Sequence, residues 1–234
     1  MGHGPIIEAI DVCKTYRSRS VVVEALKGVT LSVARGEMVA IMGPSGSGKT
    51  TLLNCISGLD GVDQGEVSID NQPLQGMSDD ALSEYRAKSM GFVFQAFNLL
   101  PVLSARENVE LPLVLAGVKS GTARTRAMEK LEQVGLVDWA DHMPNELSGG
   151  QIQRVAIARA LANDPAIVWA DEPTGNLDSD NTNQVMDLLC DLNETHGQTF
   201  VLVTHTQEVG GRAHRIVNMR DGLIEGESIR EIQV

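Results

Sequence analysis

Basic side chains are the minority charge in this chain: 19 lysines and arginines stand against 31 aspartates and glutamates, a formal net charge of -12. No basic stripe able to neutralise nucleic-acid phosphates can be drawn from that supply, so DNA and RNA are excluded as first-choice partners. Cysteine is sparse as well. Cys13, Cys55 and Cys190 are widely spaced and form no C-x-x-C pair, which indicates neither a disulfide framework nor a zinc site and fits a reducing cytoplasm. Long apolar runs are missing: stretches such as 21–23 and 166–170 fall far short of the roughly 20 residues that span a bilayer. The N-terminus shows no basic leader followed by an apolar segment. Any membrane role is therefore expected to come through a partner. Low-complexity tracts and internal repeats are absent too.

What is present is enough for one large α/β core or two small domains, with 234 residues of which 42% are hydrophobic. Strands are expected over 6–12, 21–26 and 29–33. The run Met38-Val39-Ala40-Ile41-Met42 is continuously apolar and suits a strand covered on both faces. It feeds Gly43-Pro44-Ser45-Gly46-Ser47-Gly48-Lys49-Thr50, and a helical pattern over 49–57 stops at Gly58. Further on, the pattern gives a strand at 65–70, a helix at 78–88 and a strand at 91–94. From 96 to 163 helix and loop dominate, with a capping box at Ser104-Ala105-Arg106-Glu107 and an apolar stripe of Ala127, Met128, Leu131 and Val134 ending at Gly135. A strand at 166–171, a helix at 181–193, a strand at 199–204 and a hairpin turning at Asp221-Gly222 complete the chain.

Three segments carry chemistry. Residues 43–50 fit G-x-x-x-x-G-K-[ST] in full. In that pattern the backbone wraps a β-phosphate, Lys49 reaches the β- and γ-oxygens and the Thr50 hydroxyl suits Mg²⁺. Backbone N–H groups, one lysine and a metal ion set a local field against the acidic whole. A mere glycine-rich turn is the competing reading, disfavoured by the strand before and the helix after. Second, the apolar strand Ile167-Val168-Trp169-Ala170 ends in Asp171 and Glu172, assigned to the metal and to the attacking water. A solvated strand end is the plain alternative for such a pair. Third, Leu147-Ser148-Gly149-Gly150-Gln151 opens a helix whose apolar face is Ile152, Val155, Ala156, Ala160 and Leu161. Ser148 suits an N-cap, and Gly149 and Gly150 bare the first N–H groups at the positive end of the dipole. That makes an anion site, or simply a capped structural helix.

Together these residues resemble the ABC (ATP-binding cassette) ATPase family over nearly the whole chain. Residues 147–151 match its signature motif, and 43–50 and 167–172 match its Walker A and Walker B. The resemblance implies Gln95 as the Q-loop residue beside Mg²⁺ and water, Asp178 in Asn176-Leu177-Asp178 as the D-loop, and His205 as the switch histidine. It also implies Tyr16 as the aromatic stacked on adenine and Thr51 as an α-phosphate contact. An exposed polar cap for Gln95 and a core position for Tyr16 stay open as alternatives. Tyr16 is read as following the first strand, next to Arg17. The other histidines, His3, His142, His196 and His214, read as surface residues.

The implied fold is α/β of the P-loop NTPase (RecA-like) type. A mainly parallel core with an N-terminal antiparallel β-subdomain would occupy 1–95 and 164–234, and an inserted α-helical signature subdomain 96–163. The implied activity is hydrolysis of ATP with Mg²⁺ in a head-to-tail homodimer. There, residues 43–51 of one copy and Ser148 and Gly150 of the other would enclose the nucleotide, and Gly149, Gln151 and Asp178 are implied as nucleotide-binding too. Glu172, Gln95 and His205 would be catalytic, and Thr50, Gln95 and Asp171 would hold the metal.

Segments 23–29, 92–101, 107–113 and 171–178 resemble, more narrowly, the branch of lipoprotein-releasing (LolD) and macrolide-exporting (MacB) ATPases. That implies a separate membrane permease docking a short helix near 97–106, at the cytoplasmic face of the membrane. Leu99, Leu100 and Leu103 are apolar candidates for the contact or else core residues. A signalling scaffold like the cell-division FtsE relatives is the alternative. Two positions depart from the branch: Thr206 follows His205 where Asp is usual, which bears on the orientation of the histidine, and Trp169 replaces a small aliphatic.

Overall fold

The computed structural model describes residues 4–18 and 21–230, so His3 lies outside the described residues. In chain order the elements are β1 (Ile7–Ser18), β2 (Val21–Val33), β3 (Met38–Met42), α1 (Lys49–Ile56), β4 (Gln64–Ile69), β5 (Gln72–Pro73) and α2 (Asp79–Ser89). They continue with β6 (Met90–Phe94), α3 (Ala105–Leu115), α4 (Ser120–Gln133), α5 (Gly149–Leu161), β7 (Ile167–Asp171) and α6 (Ser179–His196), then β8 (Thr199–Thr204), α7 (Gln207–Gly210), β9 (Arg215–Arg220) and β10 (Leu223–Ile229). Short 3-10 turns at Val137–Trp139 and Pro144–Glu146 link α4 to α5. The chain divides into two units, Met1–Ser83 with Asn193–Val234, and Glu84–Leu192.

In the first unit, β3 runs parallel to β8 on one side and to β9 on the other, and β10 pairs antiparallel with β9. All five residues of β3 are buried, as an unbroken apolar run requires when both neighbours are parallel. A second, antiparallel sheet has the order β2-β1-β4-β5. Where the sequence suggests two strands over 21–33, the structure has one of 13 residues. Val12 pairs with Val29 and Cys13 with Lys27, so Gly28, at φ 84°, is an extra residue taken up as a bulge, and the ladder continues past it. β1 likewise runs on to Ser18, which places Tyr16 inside the strand opposite Val23 rather than beyond its end.

The expected hairpin turns at Asp221 (φ 49°) and Gly222 (φ 81°), joining Arg220 to its partner Leu223. Left-handed values at both central positions match the twist of the flanking strands. The turn also buttresses the phosphate-loop segment: the Gly222 N–H donates to Ser47 O at 3.0 Å, and Gly222 O accepts from Lys27 N at 3.0 Å.

In the second unit, β6 and β7 are parallel, with Met90 opposite Ile167 and Phe94 opposite Asp171. Helix α5 backs β6 so closely that a Cβ at Gly91 would collide with Ala160 O. Val155, Ala156, Ile157 and Ala158 of α5 are wholly buried, as are Ala123, Ala127 and Leu131 of α4. Helix α3 starts with the expected capping box, Glu107 N donating to Ser104 Oγ at 3.2 Å and Ser104 N to Glu107 Oε2 at 2.9 Å. Next to it Asn108, wholly buried, pins the preceding loop. Its Nδ2 donates to Leu100 O, Leu103 O and Ser104 O at 3.0–3.1 Å, and its Oδ1 accepts from Leu100 N at 2.8 Å. Leu100 and Val102 stand exposed on that pinned loop, whereas Leu99 and Leu103 are half-buried.

His196 is exposed, but two of the other histidines are not simple surface residues. His142 is half-buried with its ring 4.8 Å from that of Trp139, and His214 Nδ1 accepts from Met38 N at 3.2 Å. The three cysteines are free, and burial, with the charge of Asp60, pushes the Cys55 thiol up to about 11. Among the described residues no helix is long and apolar enough to cross a membrane.

Replacing Asn108 by Leu leaves buried carbonyls and an N–H without partners, and is expected to destabilise the protein by about 2–4 kcal/mol, read from urea unfolding midpoints. A loss under about 1 kcal/mol would mean that the loop is held by other contacts.

Candidate functional site

At the end of β3 the chain must turn sharply between neighbours that leave no room for side chains. A Cβ at Gly43 (φ 153°) would collide with Met219 O, and one at Gly48 (φ 100°) would lie 2.6 Å from Ala25 O. Gly48 is the N-cap of α1, so no side chain caps that helix, and no acidic residue lies in its first turn. The positive end of α1 is thereby kept for an anion. Lys49 is only 7% exposed, and its ammonium donates to the carbonyls of Gly43 (2.8 Å) and Pro44 (2.9 Å) in its own loop. Ser47 Oγ is buried with no hydrogen-bond partner among the described residues. Pro44, Ser45, Gly46 and Thr50 are exposed, and Thr51 is half-buried. An uncapped helix start, a folded-back ammonium and an orphaned hydroxyl in one short segment fit a polyphosphate ligand with its metal.

Two further expected residues belong to this unit. His205 is exposed just past β8, and Thr206 takes the N-cap position of α7 without a side-chain capping bond. Tyr16 is 42% exposed rather than core. Its hydroxyl donates to Asp60 Oδ2 at 2.8 Å, and Lys14 Nζ lies 5.2 Å from its ring centroid.

The second unit brings the remaining candidates into two groups. Gln95, exposed after β6, donates from Nε2 to Asn176 Oδ1 (3.2 Å), and Asn176 Nδ2 donates to Gln95 O (2.9 Å). The fit depends on Gly175, whose Cβ would lie 2.8 Å from Gln95 Nε2. Asp171 ends β7, and Glu172 follows in the left-handed region at φ 48°, a conformation that costs a non-glycine residue about 1 kcal/mol. The turn that enforces it is fixed twice: Gly175 N donates to Glu172 O at 3.0 Å, and the wholly buried Gln153 donates from Nε2 to Pro173 O.

Past Gln95 the chain again takes left-handed values, at Phe97 (φ 59°) and Asn98 (φ 52°), and the guanidinium of Arg159 on α5 donates to both their carbonyls. Burial pushes that guanidinium below its ordinary value.

The other group is built on the start of α5. Ser148 Oγ accepts from Gln151 N at 3.3 Å while Gln151 Oε1 accepts from Ser148 N at 2.8 Å, a reciprocal capping box. Ser148 is exposed and Gly150 buried. A Cβ on Gly150 would collide with Asn181 Oδ1, and one on Gly149 would touch Leu177 Cδ2 at 3.4 Å. Asn181 cannot easily retreat, because Asp178 accepts from its backbone N (2.8 Å) and twice from its Nδ2 (2.9 Å). The backbone bond from Asn181, followed by its side-chain bonds, holds the Asp178 carboxyl below its ordinary value. The signature segment and the Asp178 loop are thus one packed assembly.

Sequence reasoning missed Asn181, Asn176, Gln153, Lys14 and Asp60. Only Gln153 left a signal: it shares the helical face of Ala156 and Ala160, where a polar residue must find a buried partner.

Comparison with known proteins agrees with this geometry. Residues 26–175 match the model of the ABC transporter family. The chain is 51% identical over 221 residues to an ABC transporter ATP-binding protein of Thermotoga maritima, covering 94% of each. It is 44% identical over 230 residues to the macrolide export ATP-binding/permease protein MacB of Brucella melitensis, covering 98% of this chain and 35% of MacB. The fold superposes with a TM-score of 0.88 on a dimeric structure of MJ0796, an ABC transporter cassette from Methanocaldococcus jannaschii, at 48% identity over 97% of this chain and 99% of that one. A second dimeric structure of MJ0796, at 47% identity and the same TM-score, represents a post-hydrolysis state bound to ADP and Pi. The chain belongs to the ABC transporter family and is an ATP-binding ATPase cassette with the P-loop NTPase fold.

The crowding at Gly150 gives a direct test. Gly150→Ala should lower the melting temperature by several degrees, about 1–3 kcal/mol of overpacking, and Asn181→Ala in the same chain should recover most of it. No recovery in the double variant would show that the α5–Asn181 contact is not the limiting one.

Proposed function

We propose that this cassette pairs head to tail with a second copy around ATP and drives a separate membrane permease of the MacB or LolD type from the cytoplasmic face of the membrane. The observation that carries the pairing is the start of α5. Ser148 and Gly150 are built as an N-capped, glycine-faced helix end that bears the family's signature, and the related MJ0796 cassette is dimeric. An ammonium on one side of a triphosphate leaves the other side unneutralised, and the signature helix of a second copy supplies the missing positive dipole end.

In this reading Tyr16 stacks on the adenine, residues 43–48 wrap the phosphates, Lys49 turns from its own loop carbonyls to the β- and γ-oxygens, and Thr51 meets the α-phosphate. Ser148, Gly149, Gly150, Gln151 and Asp178 come from the partner copy. Thr50, Asp171 and Gln95 would hold Mg²⁺, which when bound would supply positive charge against the phosphates. Glu172 accepts a proton from the attacking water, and His205 orients the γ-phosphate and water by hydrogen bonding. Residues 96–163 serve as the helical signature subdomain coupled to Gln95, and 1–95 with 164–234 as the core. The exposed Leu100 and Val102, on a loop fixed by Asn108, offer an apolar ledge for a permease helix.

Glu172→Gln is expected to bind ATP, to stay dimeric on size exclusion, and to lose hydrolysis by about 100-fold or more. Undiminished turnover would remove Glu172 from the role of base. Ser148→Arg should bind ATP as a monomer yet fail to dimerise, and a normal ATP-dependent dimer in that variant would sink the two-copy site.

A further inference from the structure

Tyr16 is held more firmly than a half-exposed aromatic needs to be. Asp60 Oδ2 accepts from its hydroxyl at 2.8 Å, while Asp60 Oδ1 accepts from Lys14 Nζ at 2.7 Å. Lys14, with its side chain 11% exposed, also donates to Gly61 O at 2.6 Å and stands over the face of the tyrosine ring. One strand position along, Thr15 N donates to Asp63 Oδ2 at 2.6 Å, and Asp63 N donates to Cys13 O at 2.9 Å. The segment after α1 is therefore stitched residue by residue to β1 at Cys13, Lys14, Thr15 and Tyr16.

A stacking platform gains affinity when its rotamer is fixed before the ligand arrives, because the ordering cost is then not charged to binding. A hydrogen bond to an ionised carboxylate is a strong way to fix it. Here burial acts against the ionised form of Asp60, but hydrogen bonds from Lys14 and Tyr16 outweigh it and hold the carboxyl below its ordinary range. Burial and the bond to Asp60 together raise Tyr16 above the ordinary phenol value.

We propose that Asp60, with Lys14, is a positioning residue for the nucleotide base. It locks the Tyr16 ring as a preset stacking platform. The inference rests on the reading of Tyr16 as the adenine-stacking residue. Its consequence is that the Asp60 lock separates ATP from a triphosphate lacking a base.

The test measures kcat and KM for ATP, and inhibition by inorganic tripolyphosphate, in Asp60→Ala, Tyr16→Phe, Tyr16→Ala and the Tyr16→Ala/Asp60→Ala double variant. Asp60→Ala and Tyr16→Phe should each raise the ATP KM about 5- to 20-fold with kcat and the tripolyphosphate Ki unchanged. Adding Asp60→Ala to Tyr16→Ala should raise KM no further. In a Tyr85→Phe background, ultraviolet titration should show Tyr16 ionising at lower pH once Asp60 is replaced. Equal losses for ATP and tripolyphosphate, additive effects in the double variant, or an unchanged KM in Asp60→Ala beside a raised one in Tyr16→Ala would each overturn the proposal. An unchanged KM in Tyr16→Ala would instead overturn the platform itself.

Discussion

An acidic chain that binds ATP has to find positive potential locally, and that constraint bears on both units. With a net charge of -12, no basic surface supplies it, and the local sources are the Lys49 ammonium and helix starts whose first N–H groups are left bare. α1 achieves this by having glycine at its N-cap, where a Cβ would lie 2.6 Å from Ala25 O. α5 achieves it differently, with a serine cap whose glycine neighbour is kept small by Asn181. Tertiary crowding shapes both helix starts, at Gly48 and at Gly150, and a local capping box adds to it in α5.

That difference explains what could be read in advance. The continuous apolar run of β3, the glycine loop, the capping box of α3, the Ser148 N-cap of α5 and the Asp221-Gly222 turn all rest on contacts within a few residues, and the structure shows them as expected. Strand 21–33 was hidden because a single glycine reads as a break when it is a bulge, and only pairing with β1 decides between the two. The residues that hold the candidate site in shape were hidden for a related reason. Asn181 acts on Gly150 across 31 positions of sequence, Asn176 on Gln95 across 81, and Asp60 on Tyr16 across 44. Nothing in spacing or periodicity announces such pairs.

Among the described non-glycine residues in left-handed backbone, all but Phe97 and Glu172 are Asp or Asn, which tolerate it, and those two lie beside the candidate catalytic groups. Glu172 and the Phe97-Asn98 pair sit in left-handed backbone without being glycine, and each is held by a side chain of α5, the buried Gln153 in one case and the half-buried Arg159 in the other. Such conformations persist where the surroundings over-determine them. One helix therefore restrains both the turn after the β7 carboxylates and the loop after Gln95.

The clamp by Arg159 makes α5 a lever. Its guanidinium grips the loop carbonyls at 97 and 98 near one end of the helix, and Ser148 stands at the other. The 10 residues between, 149–158, set the two about 16 Å apart along a stiff rod. The loop carbonyls and the capping serine are thereby carried on one rigid element.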